Sequence, residues 1–213
     1  MQHLTNFRNM PRENQIGFIG SLVSYVCIAI CTVILPNFDW AVNPLSDMGS
    51  WYRTDLGDLQ ILSAILFNGG LIVAGLLNAY FTIWLIRKST DLPTKIGLVF
   101  FVGTSILLAG IGVFSEDFGI LHSITAISFF LSIPLACAII GLVWLRIKET
   151  RSIGGVSILL ALLGLLIIFQ PWVELSIAVL ETLAGLVSAV WIWFVDYMDL
   201  RNKFAAIQID GEI

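Results

Sequence analysis

The stretch LQILSAILFNGGLIVAGLLNAYFTIWLI, Leu59–Ile86, runs for 28 residues without an Asp, Glu, Lys or Arg. A helix needs about 20 apolar residues to cross the ~30 Å hydrocarbon core of a bilayer. The stretch lacks the alternation of a barrel strand, and backbone groups in lipid must be satisfied within the segment itself. It therefore reads as a membrane-spanning helix. Five more runs behave alike. Ile16–Leu35 has 20 uncharged residues and Ile96–Phe114 has 19. Gly119–Leu145 is broken only by His122, Ile153–Phe169 carries no charge, and Leu175–Val195 carries only Glu181. The whole chain of 213 residues is 58% hydrophobic and 12% charged, about half the ~25% charged share of a soluble domain. The expected fold is all-α: a polytopic membrane protein, one six-helix transmembrane bundle over residues 1–213. The helices should lie at about 16–36, 59–86, 95–114, 119–145, 153–173 and 174–198, with a long first outer loop at 37–58. The first run is longer than a signal-peptide core and no small-x-small cleavage site follows it, so it should be retained as a span.

Ten of the eleven Lys and Arg residues fall in the N-terminal stretch, the 2–3 and 4–5 connections and the C-terminal tail; Arg53 alone falls on the other side. The positive-inside rule then places both termini in the cytoplasm, and the expected location is the plasma membrane. The outer side carries Asp39, Asp47, Asp55, Asp58, Glu116 and Asp117. Such a face argues against nucleic acid and favours cations or lipid amines. Cys27, Cys31 and Cys137 all lie within helices, so no disulfide framework is implied. Glycines recur in helices 2, 3 and 5, including Gly69, Gly70, Gly75, Gly103, Gly112, Gly154 and Gly155, as expected where membrane helices pack closely. Trp40, Trp51, Tyr52, Trp172, Trp191 and Trp193 fall near the expected boundaries and read as an interfacial belt.

Polar groups at membrane depth cost free energy and normally face the bundle interior. Glu181 is the clearest. With helix 6 starting near Glu174 it lies about 10 Å along the axis, and it needs a partner or a proton. His122 sits about one turn into helix 4, with Asp117 five residues before it. It reads as a hydrogen-bonded packing residue, as an acid–base pair with a carboxylate, or as a divalent-metal ligand with Asp117 and Glu174. Asn68 reads as an interhelical bridge at the Gly69–Gly70 contact, or as part of a site; Asn78 reads as an interhelical hydrogen bond. Asn68, His122, Glu174 and Glu181 all lie in the outer half, and no ionisable group follows in the inner half until Asp196. That is the pattern of a blind pocket opening outward rather than a conduction path.

The first outer loop contains NPLSDMGSW, Asn43–Trp51, an unusually polar stretch for this chain. Pro44 should stiffen its entry, Ser46 or Asp47 should cap a short turn, and Gly49 should permit an unusual backbone angle. A loop of this length without regular structure is often functional. Asp47 is expected to point down toward His122.

PLSDMG (Pro44–Gly49), FNGGLIVAG (Phe67–Gly75) and LHSITAISFF (Leu121–Phe130) together resemble the prokaryotic "domain of unknown function 998" membrane family. More distantly the chain is similar to the DRAM/Frag/Sfk six-span family, which has a comparable Ser-Asp-x-Gly and a His on helix 4. The resemblance covers about Pro36–Leu145; helices 1, 5 and 6 match it only as hydrophobic spans. It implies functional positions at Ser46, Asp47, Gly49, Asn68 and His122, and a link to lipids through the distant relatives. The ceramidase-like membrane hydrolases use three histidines around zinc, and this chain has one membrane-embedded His.

The expected function is an outward-facing polar pocket that binds or modifies a lipid or other amphiphile, with Ser46, Asp47, Asn68, His122 and Glu181 as its ligand-binding residues. If it is catalytic, His122 is the general base or metal ligand, and Asp47 or Asp117 orients it or completes a divalent-metal shell. The alternatives are a non-catalytic membrane scaffold or regulatory module, and a small-solute transporter. Membrane lipids are the expected partners, with a second copy or another membrane protein as further possibilities.

Overall fold

The computed structural model describes residues 7–169 and 175–200. Six long helices follow one another: α1 Arg12–Ile34, α2 Gln60–Lys88, α3 Leu92–Val113, α4 Ile120–Leu145, α5 Arg151–Phe169 and α6 Ile177–Leu200. All six are long and apolar enough to cross a membrane. Short 3₁₀ turns form at Phe7–Asn9, Leu45–Gly49 and Glu116–Phe118, and no strand occurs among the described residues.

Polar groups set two helix starts a few residues away from those expected. α3 starts at Leu92 rather than about 95, because the Asp91 carboxylate accepts the Thr94 N–H at 2.7 Å and Pro93 occupies the first turn. α6 starts at Ile177 rather than about 174, where the Ser176 hydroxyl accepts the Val179 N–H at 3.4 Å. Glu181 is therefore the fifth residue of its helix. Residues 170–174, which include Trp172 and Glu174, lie outside the described residues.

Sequential helices pack against one another, and α1 closes the ring against α6. Only some of the glycines serve close approach. A methyl on Gly75 would stand 2.5 Å from the Ser105 carbonyl oxygen and 2.6 Å from the Ala109 nitrogen of α3; a methyl on Gly69, Gly103 or Gly155 would meet open space. Gly75→Ala is thus expected to force α2 and α3 apart and cost about 1–3 kcal/mol. Gly69→Ala should be neutral or slightly stabilising, through its gain in helix propensity. Thermal melts of the two purified variants decide it; equal melting temperatures would count against this packing.

Away from the long loop the core is aromatic. Trp191 stacks on Phe101 with centroids 4.0 Å apart and lies nearly parallel to Trp144 at 6.2 Å. Its indole donates to the Ser157 hydroxyl at 3.1 Å, and that of Trp144 donates to Thr94 at 3.2 Å. Trp191 is 1% exposed, so it belongs to this core and not to an interfacial belt. Satisfied indole nitrogens make that burial tolerable. Trp51 and Tyr52 are exposed.

Near the described ends of the chain, Asn14 of α1 donates to Asp196 at 2.6 Å and to Asp199 at 3.2 Å, both on α6. Lys88 of α2 pairs with Asp199 and lies 4.7 Å over the Trp84 ring. Three helices are tied there by groups whose spacing along the sequence carries no hint of their meeting.

Candidate functional site

The 35–59 connection folds back over one end of the bundle, hereafter the loop end, instead of extending from it. Polar side chains of α2 fix it there. Gln60 donates from Nε2 to the carbonyls of Asp47 and Ser50, both at 2.9 Å. Ser63 donates to the Met48 carbonyl at 2.9 Å, and Asn68 donates to the Gly49 carbonyl at 2.8 Å. Positions 60, 63 and 68 all reach the loop, and they satisfy four consecutive loop carbonyls. Leu45 and Met48 are buried beneath. Asn68 therefore serves the loop rather than the Gly69–Gly70 contact. Gln60 and Ser63 were legible only as polar members of that helix.

Within the loop, Gly49 has no positive φ; among the described residues the positive-φ glycines are Gly57 and Gly119. It is needed for close approach, since a methyl there would stand 2.5 Å from the Asn68 Oδ1. Neither Ser46 nor Asp47 caps the Leu45–Gly49 turn through its side chain. Asp47, 1% exposed, forms an ion pair with Arg53 and accepts from Asn43 Nδ2 at 2.7 Å. Its recorded partners lie within its own loop and in the Glu116–Phe118 turn, not at His122.

Asp117 clamps that turn to the loop. Its carboxylate accepts the Ser50 hydroxyl at 2.7 Å, the Trp51 N–H at 2.8 Å and the Ser115 hydroxyl at 3.1 Å. Burial alone would raise its pKa, but these three donors outweigh burial and hold it below the ordinary carboxylate range. Glu116 goes the other way. Burial first, then a hydrogen bond to Asp47 and the Asp47 charge, push it up to about 7 against the pull of Arg53. Its Oε2 is buried without a donor, which suits a protonated Glu116 donating its own O–H to Asp47. Between the ordinary value of 4.5 and about 7 the folded protein holds a proton that the unfolded chain releases. The resulting stability is full below the unfolded value and is lost as pH rises through about 7. The melting temperature should therefore fall between about pH 5 and about pH 8, and Glu116→Gln should flatten that fall. An unchanged slope in Glu116→Gln would remove Glu116 as its source.

Beneath the loop lies a cavity of about 80 Å³ walled by α1, α2, α3, α4, α6 and the Leu45–Gly49 turn. Ser46, His122 and Glu181 line its loop end; Ile28, Phe67, Leu71, Leu108, Ile111 and Phe129 line its middle. Ser21, Ser24, Asn78 and Ser188 lie toward the other end. The Leu45 N–H donates to Glu181 Oε2 at 2.8 Å, so the carboxylate holds the loop as well as lining the cavity. His122 Nδ1 lies 2.7 Å from the Phe114 carbonyl. A carbonyl only accepts, so Nδ1 carries the proton and Nε2 is the ring's remaining hydrogen-bonding atom. A second, apolar cleft of about 290 Å³ opens between α4, α5 and α6, and it shares Phe130 and Glu181 with the central cavity.

Of the expected site residues, the structure brings Ser46, His122 and Glu181 to one cavity and gives Asp47 and Asn68 to the support of its roof. Asp117 belongs to the loop clamp, and Glu174 lies outside the described residues. Among the described residues no three His, Cys, Asp or Glu side chains come together as a metal-ligand set. Asn78, expected to bridge helices, has no partner for its side-chain oxygen.

No curated protein and no solved structure matches the chain. The family described as "Protein of unknown function (DUF998)" matches residues 18–195, a span that takes in most of α1 and α6 and the whole of α5 as well as the loop and α2–α4. With all or most of each of the six helices inside the match, this multi-pass membrane protein belongs to the DUF998 family.

Proposed function

We propose that this protein binds a long-chain amphiphile with an amine head, held at the loop end of the central cavity by Ser46, His122 and Glu181. One observation carries the reading: Glu181 is the sole charged side chain among the residues lining the cavity, which include no Lys or Arg. A carboxylate in a low-dielectric site attracts an ammonium and repels an anionic head. The apolar middle of the cavity suits a hydrocarbon chain. Entry is lateral, from the bilayer through the α4–α5–α6 cleft, because Glu181 and Phe130 belong to both spaces. The loop end faces outward, in keeping with the placement of ten of the eleven Lys and Arg residues away from it.

The test is native mass spectrometry of the purified chain titrated with dodecylamine and, separately, dodecanoate. Dodecylamine should bind, and at least about tenfold more tightly, the effect of one charge-assisted contact. Equal binding of the two, or a preference for the carboxylate, would overturn the reading.

A further inference from the structure

The far end of the cavity holds a second polar position. Asn78 is 5% exposed and lines the cavity, yet its side-chain oxygen finds no hydrogen-bond partner. Buried polar atoms are normally paired, and an unpaired one costs about 1–3 kcal/mol. The neighbours do not relieve it. Ser21 already donates to the Phe18 carbonyl at 2.7 Å and accepts the Trp193 indole at 2.7 Å. Thr82 donates to the backbone carbonyl of Asn78, not to its amide. Gly20 allows α1 to lie against the amide, since a methyl there would stand 2.5 Å from Asn78 Oδ1. Phe81, three residues further along α2, and Trp191 of α6 are almost wholly buried.

Depth follows from α2. Asn68 marks the level of the loop through its bond to Gly49, and Asn78 is ten residues further along, about 15 Å at 1.5 Å per residue. That is close to the length of an extended dodecyl chain. Phe67, Leu71 and Asn78 all line the cavity from one face of the helix. A chain anchored at Glu181 would run past Leu71 and end at the amide.

We infer that Asn78 is a second binding position, which receives a hydroxyl borne at the far end of the ligand's chain. Oδ1 is packed against Gly20 of α1, so a hydroxyl in the cavity meets the amide from its Nδ2 side, where it accepts. The inference rests on the amine-head reading and narrows its ligand to a chain polar at both ends.

Dodecylamine and its ω-hydroxylated counterpart test it on the full-length protein by native mass spectrometry. The hydroxylated amine should bind the native protein about fivefold more tightly, as one extra hydrogen bond predicts. In Asn78→Leu that preference should vanish, whatever the change in dodecylamine affinity itself. Asn78→Ala serves as the second variant, and retained dodecylamine binding shows that either variant is folded. Equal affinity of the two amines for the native protein, or a preference that survives in both variants, overturns the inference and leaves the amine-head reading standing. Failure of the native protein to bind either amine overturns both.

Discussion

Arg53→Ala is expected to destabilise the protein by about 3–5 kcal/mol at neutral pH, and more than the removal of the carboxylate Arg53 neutralises. Asp47, Glu116, Asp117 and Glu181 gather around the Leu45–Gly49 turn, and the basic side chain beside Asp47 and Glu116 is Arg53. Asp47 is buried, whereas the Arg53 side chain is 31% exposed. The two halves of this ion pair are therefore unequal. Without Arg53 a buried carboxylate remains with no cation beside it, held only by Asn43 and by the Glu116 O–H. Without Asp47 the guanidinium keeps its second pair, to Asp55 at 2.9 Å, and can turn to water. Asp47→Asn should accordingly cost only about 1–2 kcal/mol, the net worth of a hydrogen bond to a charged group in a site that keeps its shape. Thermal melts of both variants, with proteolysis between Phe38 and Asp58 as the local readout, measure the order. A larger loss for Asp47→Asn than for Arg53→Ala would contradict it.

That asymmetry shows why the fold was legible in the sequence and much of the site was not. Spanning helices are written in runs of apolar residues, because in lipid the backbone must satisfy its own polar groups within each such segment. Ile16–Leu35 and Leu59–Ile86 announce α1 and α2 without reference to a partner. Two helix starts missed by about three residues are set by caps, Asp91 for α3 and Ser176 for α6, whereas α1 begins four residues early, at Arg12, with no side-chain cap. His122, Glu181 and Ser46 stood out because polar groups are scarce in such a chain, and they do share one cavity. The direction of a side chain is not written locally. Asp47 turns to Arg53 because a buried carboxylate takes the nearest cation, and Asn68 turns to Gly49 because the loop's carbonyls need donors. Asn14, Lys88 and Asp199 meet at the other end through helix packing alone.

Glu181→Gln separates the two tasks assigned to that side chain. The carboxylate accepts the Leu45 N–H, which pins the roof, and it supplies the negative charge of the cavity. Glutamine is close in shape and keeps an acceptor for Leu45, so the roof should stay in place. The melting temperature should change little or rise, because removing a partly buried charge relieves its desolvation cost. Dodecylamine affinity should nevertheless fall by about tenfold to a hundredfold, since a charge-assisted hydrogen bond is worth roughly 1.5–3 kcal/mol. Glu181→Leu removes charge and acceptor together. It leaves the Leu45 N–H unpaired at about 1–3 kcal/mol, so here stability and amine binding should be lost in parallel. A role confined to tying α6 to the loop predicts another pair of results: Glu181→Leu unstable, and Glu181→Gln equal to the native protein in both stability and amine binding. Native amine affinity in Glu181→Gln would therefore reduce Glu181 to a structural tie and take the proposed ligand class with it.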